Sequence, residues 1–236
     1  EKGCFDDLDA AMMIHPGTEN RLGGRTNALM PLKFEFFGKN AHACHPQEGR
    51  SALDAAVNTF VAINMLRQFT EPGSFIHGIV KDGGEAANVI PAYASLEYYF
   101  RAPTMAVAKA MSQRAVQCAE GACQMAGTTL KTSMYECPYE DNKINYTLCS
   151  LLEKQYAELG LSEIQPVDEV PGGSSDIGAV SYRCPALHGY IQICGCEVTG
   201  HSREMAAATI SPQGRAGLEN GASALAMCAV ELASDP

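Results

Sequence analysis

Three histidines lie where imidazole chemistry is easiest to support. His15 closes an apolar, strand-like run, MMIHPG, at a Pro-Gly turn; His42 falls in GKNAHACHP just after a strand; His201 sits in the loop TGHSRE. A strand end holds a metal-binding imidazole rigidly. A histidine N–H aimed at a developing oxyanion stabilises a tetrahedral intermediate. Any one of them, taken singly, reads equally as a loop histidine hydrogen-bonded to backbone. Glu204 follows His201 closely enough to orient its ring. The acidic ligands and general base that such a site needs are not supplied by the rest of the pattern, so the sequence reads as part of a metal-using site.

Two segments have the glycine-rich, small-polar character of binding loops, GGEAANVIP at 83–91 and PGGSSDIG at 171–178. Asn88 offers an amide donor, or is simply a turn former. Arg101 offers a planar fork for a carboxylate, or is a salt-bridge residue. Ser174, Ser175 and Asp176 resemble an anion cradle in composition. No Lys-Ser or Lys-Thr follows them, so the run is not a phosphate loop, and no spacing supports a Ser-His-Asp triad. His45 is followed directly by Pro46, which gives it a conformational reading.

The elements that must position these residues come from a chain of 236 residues, 46% apolar and 19% charged, an ordinary globular composition. A net charge of -10 without a Lys/Arg cluster argues against nucleic acid as a partner. No apolar run reaches membrane-spanning length. The ten cysteines lack paired CxxC spacing, and several fall at helix-core positions, which suits reduced thiols in a cytoplasm. The first residues, EKGCFDDLDAAMMIHPG, are neither a signal peptide nor a start methionine, and open as a fragment would.

Alternation over Leu32–Gly38, His77–Lys81 and Ala92–Arg101, with a further strand at Thr129–Tyr135, brackets two amphipathic helices at Ser51–Gln68 and Thr104–Ala126. The order β-α-β-β-α-β suits a four-stranded antiparallel sheet with both helices on one face. This module is expected to span 31–135, inserted between a piece at 1–30 and a piece at 136–236 that together make one discontinuous α/β domain. The last piece carries a helix from Asn145 to Leu159 and a buried strand at Ile191–Gly195. A final helix from Ser211-Pro212 presents Leu218, Ala222, Leu225, Ala229 and Leu232.

The segments FDDLDAAMMIHPG, FFGKNAHACHPQEGRSALDAAV, HGIVKDGGEAANVIPAYASLEYYFRAP, GGSSDIGAVS and GHSREM occur in the order found in the aminoacylase and carboxypeptidase-G-like zinc metallohydrolases, peptidase family M-twenty. The chain most resembles the amidohydrolase branch near aminobenzoyl-glutamate hydrolases and related dipeptidases. The resemblance implies an α/β catalytic domain, here in part, with an inserted ferredoxin-like dimerisation or lid domain. It implies that His15 and His201 are ligands of two zinc ions (manganese or cobalt in their place), and that His42 reaches a neighbouring subunit's site to polarise the scissile carbonyl. Asn88, Arg101, Ser174, Ser175 and Asp176 are then substrate-binding residues. A small amide or dipeptide substrate and a homodimer through the inserted domain follow, with no nucleic acid or membrane partner, in the cytoplasm.

A complete member of that family carries further ligands and its general base in a part that would precede Glu1. Two histidines do not fill the shell of two metals. The expectation is therefore an intact protein that hydrolyses amides and an isolated chain that is inactive. The alternative is a truncated, non-catalytic protein that forms dimers or binds a ligand.

Overall fold

The computed structural model describes residues 3–234. They divide into two compact units, one built from the segments up to Thr26 and from Asn142 onward, the other from Asn27–Asp141. The module expected at 31–135 lies inside the second. Among the described residues, no helix is long and apolar enough to cross a membrane.

The first unit opens with β1 (Ala11–Gly17). The inserted unit follows with β2 (Ala28–Phe37), β3 (Ala41–His42), α1 (Ala52–Leu66), β4 (Phe75–Asp82), β5 (Val89–Ile90), β6 (Tyr93–Ala102), α2 (Met105–Ala126) and β7 (Thr129–Ser133). Its sheet runs β4-β6-β2-β7, antiparallel throughout, as the alternation predicts. Phe34, Phe36, Leu96 and Phe100 point from β2 and β6 into a core in which all four are fully buried. The two helices pack on each other and against the sheet. Ser51 and Thr104 cap them, their hydroxyls accepting the N–H groups of Asp54 and Val107. Gly127, at φ 66°, ends α2 in the left-handed region that glycine adopts without strain.

On α2 a 3.6-residue spacing from Ala108 predicts an inward stripe of Ala108, Met111, Ala115, Cys118, Ala122 and Met125, which needs correction. Met125 is exposed and Cys118 half-buried, whereas Met105, Ser112 and Ala119 join Ala108, Met111 and Ala115 inside. A helix of 22 residues turns its buried face steadily under a 3.6-residue period. On the sheet's other face, Glu35 is held by a group of donors. The Tyr93 hydroxyl donates to it at 2.9 Å, and Lys33 and Lys131 stand at 3.4 and 3.6 Å. That hydrogen bond, with help from the two ammonium groups, lowers its pKa against a smaller opposing effect of burial.

The remaining elements are α3 (Tyr146–Glu158), α4 (Ile177–Ser181), β8 (Ala186–Gln192), α5 (Arg203–Ala208) and α6 (Pro212–Ser234). β8 lies parallel to β1, with Met13 beside His188 and His15 beside Tyr190. The strand expected at Ile191–Gly195 therefore begins five residues earlier, at Ala186. Ile193 and Cys194 are buried beyond its end. The stripe assigned to α6 is also corrected: Leu218 is exposed, and the helix buries Gly214, Gly217, Gly221, Ala224 and Cys228 instead. The reason is close approach. A Cβ on Gly217 would lie 2.7 Å from Ile193, and one on Gly221 would lie 3.4 Å from Ile14.

Candidate functional site

The β1–β8 pair has two unlike faces, because successive side chains on a strand alternate. Ile14 looks toward Gly221 of α6, and the Gly189 position packs against Leu152 of α3. His15, His188 and Tyr190 consequently share the opposite face. There they help to line a cavity of about 410 Å³, together with the Gly172–Ser175 loop and His201.

His15 and His201, far apart in sequence, are thus brought to one cavity, as are Ser174 and Ser175. Both histidines are exposed. The Nδ1–H of His15 donates to the carbonyl of Pro16 at 2.7 Å, and a carbonyl can only accept. In the neutral ring this places the proton on Nδ1 and leaves Nε2 with its lone pair. His201 has φ 60°, a left-handed backbone that is costly for a side chain with a Cβ. Ser202, next to it, caps α5 by accepting from the Met205 N–H at 3.0 Å. Glu204 lies in the first turn of α5, and among the described residues no hydrogen bond joins it to His201. Asp176 immediately precedes α4 and is exposed, without a capping bond from its side chain.

Several residues of this cavity were not singled out in the sequence. His188 is buried, stacked on Tyr190 with ring centroids 5.0 Å apart, and meets His15 edge-on at 5.9 Å. Among the described residues, neither of its ring nitrogens has a hydrogen-bond partner. Burial, then the neighbouring His15, push its pKa down to about 4 against the opposite pull of Asp176. Arg21 is clasped by Glu19 at 2.6 Å and Asp168 at 2.7 Å. Its backbone bonds in both directions with Tyr190, which makes this side of the cavity rigid. The usable signal was the period of two in LHGYIQ, which places His188 and Tyr190 on one face.

The inserted unit places the other three residues. His42, in β3, opposes Val89 of β5, and the carbonyl of Asn88 accepts the N–H of Ala43 at 3.0 Å, so His42 and Asn88 share one small ribbon. Pro46 opens a short 3-10 turn after His45. Arg101 is elsewhere: it opposes Leu29 and Phe75, and its guanidinium lies 5.6 Å from the Tyr99 ring centroid. It stands near the far end of β6 from Tyr93, a span of roughly 26 Å at ~3.3 Å per residue. Within this unit Arg101 is not brought to His42 and Asn88.

Residues 26–123 match the family model described as a peptidase dimerisation domain. The Xaa-Arg dipeptidase of Mus musculus is 35% identical over 239 residues, covering 100% of this chain and 55% of the relative. One of the p-aminobenzoyl-glutamate hydrolase subunits of Escherichia coli is 36% identical over 133 residues, covering 55% of this chain and 28% of the relative. The crystal structure of an aminobenzoyl-glutamate utilization protein from Klebsiella pneumoniae superposes with a TM-score of 0.70 at 22% identity. It covers 92% of this chain and 56% of that one. The fold is an α/β catalytic domain with an inserted dimerisation subdomain; residues 26–123 match the peptidase dimerisation domain, and the chain over its whole length is similar to members of the M-twenty peptidase and amidohydrolase superfamily. It spans about 55% of the length of the dipeptidase it matches.

Proposed function

We propose that this chain is part of a metal-dependent hydrolase that cleaves the amide or peptide bond of a small N-acyl amino acid or dipeptide. The observation that carries this reading is the His15 tautomer. Its Nε2 lone pair is free, on a cavity that His201 also lines. Dipeptide and aroyl-amino-acid substrates are suggested by the names of the mouse and Escherichia coli relatives.

The donor set fits a divalent metal as a contributor and not as a complete shell. Imidazole nitrogen suits zinc, manganese or cobalt. Among the described residues no group of three or more His, Cys, Asp and Glu is placed to hold an ion. In this reading His15 and His201 each give one nitrogen, and the remaining ligands and the general base come from residues outside this chain. A bound metal would polarise the scissile carbonyl and make water more acidic.

The chain's own residues do the rest. The Cys44 N–H donates to Nδ1 of His42 at 3.1 Å, so the proton of that ring sits on Nε2. An exposed Nε2–H is the donor that an amide oxygen needs as negative charge builds on it. We assign it to the site of a neighbouring subunit. Asn88 and the Ser174–Asp176 loop are assigned to the substrate; Arg101, which its own unit keeps away from the His42–Asn88 ribbon, is assigned to the carboxylate of a substrate in another subunit's site, held as a fork.

The dimer is placed on α1. Val57, Val61 and Met65 recur every fourth residue on its outer side, exposed, and Phe69 follows them in the next turn. Such an apolar stripe on a helix is a contact surface. We place the protein in the cytoplasm, a setting that agrees with ten free cysteines.

The test is hydrolysis of a panel of N-acyl amino acids and dipeptides with and without added zinc, by this chain and by the protein at the length of its relatives. Turnover by the longer form alone supports both the activity and the incomplete shell. Turnover by neither, at full metal loading, refutes the reading. A chain that takes up no metal at either length but binds a partner would favour the non-catalytic alternative.

A further inference from the structure

We infer that a further β-strand pairs with the outer edge of β1, supplied by the stretch of the longer protein that this chain does not span. The Ala11 N–H donates to the Pro185 carbonyl, and the Gly17 carbonyl accepts the Ile193 N–H. Those two bonds set which residues of β1 turn their backbone to β8: Ala11, Met13, His15 and Gly17. Alternation then sends the N–H groups of Met12 and Ile14, and the carbonyls of Met12, Ile14 and Pro16, to the other edge. Among the described residues no strand pairs there. A free edge is ordinarily guarded by charge or a bulge, yet AMMIHPG carries no Lys, Arg, Asp or Glu. Parallel strands are ordinarily covered on both faces. β8 is buried along most of its length, whereas no residue of β1 is.

The helices point the same way. α3 packs on β8, with Leu152 against Gly189, and α6 packs beside it, with Gly221 against Ile14. On the flank of α6 that faces α3, Glu231 takes hydrogen bonds from Lys154 and Gln155. The opposite flank therefore lies on the β1 side. It carries Leu218, Ala222, Leu225, Ala229 and Leu232, the stripe that its spacing predicts to face inward. Leu218 is 72% exposed and Leu232 40%. With Ile14 and Pro16, part of this flank lines an apolar groove of about 310 Å³. A solvated edge explains neither the uncharged strand nor the apolar flank. A strand added at about 4.8 Å from β1 covers both, and its side chains on the α6 face must be apolar. The chain covers 55% of the mouse relative, which leaves nearly half of such a protein to provide it. The inference rests on the reading above that residues outside this chain complete it, and is independent of the metal.

Amide hydrogen exchange, read residue by residue without metal or substrate, tests it on this chain and on the protein at the length of its relatives. In this chain Met12 and Ile14 should exchange freely while Met13 and His15 are protected. In the longer form Met12 and Ile14 should slow about 100-fold or more. Leu218→Glu, at an exposed position, should leave the melting midpoint of this chain within about 1 °C and lower that of the longer form by about 3 °C or more. Fast exchange of Met12 and Ile14 in the longer form overturns the proposal, as does a Leu218→Glu that lowers both forms alike. Protection in this chain that fades on dilution gives the edge to a second copy; protection there at every concentration means the edge is already closed. Either result overturns the proposal too. Should this chain not stay folded by itself, the two amides of the longer form decide. A longer form that hydrolyses nothing, with Met12 and Ile14 protected, fails the activity and leaves the strand standing.

Discussion

The backbone N–H of Cys44 donates to Nδ1 of His42 across 3.1 Å. That short turn decides which proton His42 offers, and it makes the residue a donor through Nε2. His42→Ala is expected to lower kcat about 100-fold with KM changed little, in the range for loss of one oxyanion donor. Steady-state kinetics on the intact enzyme check it; a raised KM at unchanged kcat would mean ground-state binding only.

His201 joins a functional expectation to a backbone one. At φ 60° glycine is at ease and alanine is not. His201→Gly should therefore melt no lower than His201→Ala, while both lose bound metal and activity. Differential scanning calorimetry and metal analysis read the two effects separately. Retained metal in both variants would remove His201 from the ligand set.

The α1 stripe makes its own prediction. A charge at its centre, Val61→Glu, should shift the protein from dimer to monomer in light scattering while the melting transition survives. The residue is already exposed within its unit, so its folding core loses nothing. A dimer that persists unchanged places the contact elsewhere.

Glu35 governs an acid limb of stability. Its folded pKa is lowered, first by the Tyr93 hydroxyl and then by Lys33 and Lys131. The stabilisation is therefore present above the unfolded carboxylate value of about 4.3 and is lost as pH falls through the folded one. Tyr93→Phe should lower the melting midpoint at pH 7, and its deficit should shrink below about pH 4. An equal deficit at every pH would assign the loss to packing.

In the core, Phe36→Ala should cost about 3–5 kcal/mol, because the ring is fully buried between sheet and helices. Urea unfolding measures it, and a cost below about 1 kcal/mol would show a core able to collapse around the gap.

The inserted unit was legible because its strands alternate cleanly: Leu32, Phe34 and Phe36 on one strand, and Ala94, Leu96, Tyr98 and Phe100 on another, separate core from surface without tertiary information. The other unit was harder. In β8 the polar alternation is only two residues long, His188 and Tyr190, so the apolar weight of Ile191–Cys194 drew the reading past the true start at Ala186 and past His188. On α6 the large side chains Leu218 and Leu225 suggested an inward stripe. Contact is made by glycines instead, because α6 approaches β1 and β8 too closely for side chains. The spacing of His15 and His201 along the chain held no sign that they share a cavity.

The register of β1 has a consequence for how this sequence tolerates change. Ile14 and His15 are neighbours sent to opposite sides, one into the packing against α6 and one into the cavity. Deleting a single residue between Ala11 and Ile14 would exchange them, burying an imidazole and leaving an isoleucine at the mouth of the pocket. Length along those few positions is therefore constrained more tightly than identity, and losing one residue there should be as damaging as losing the histidine itself.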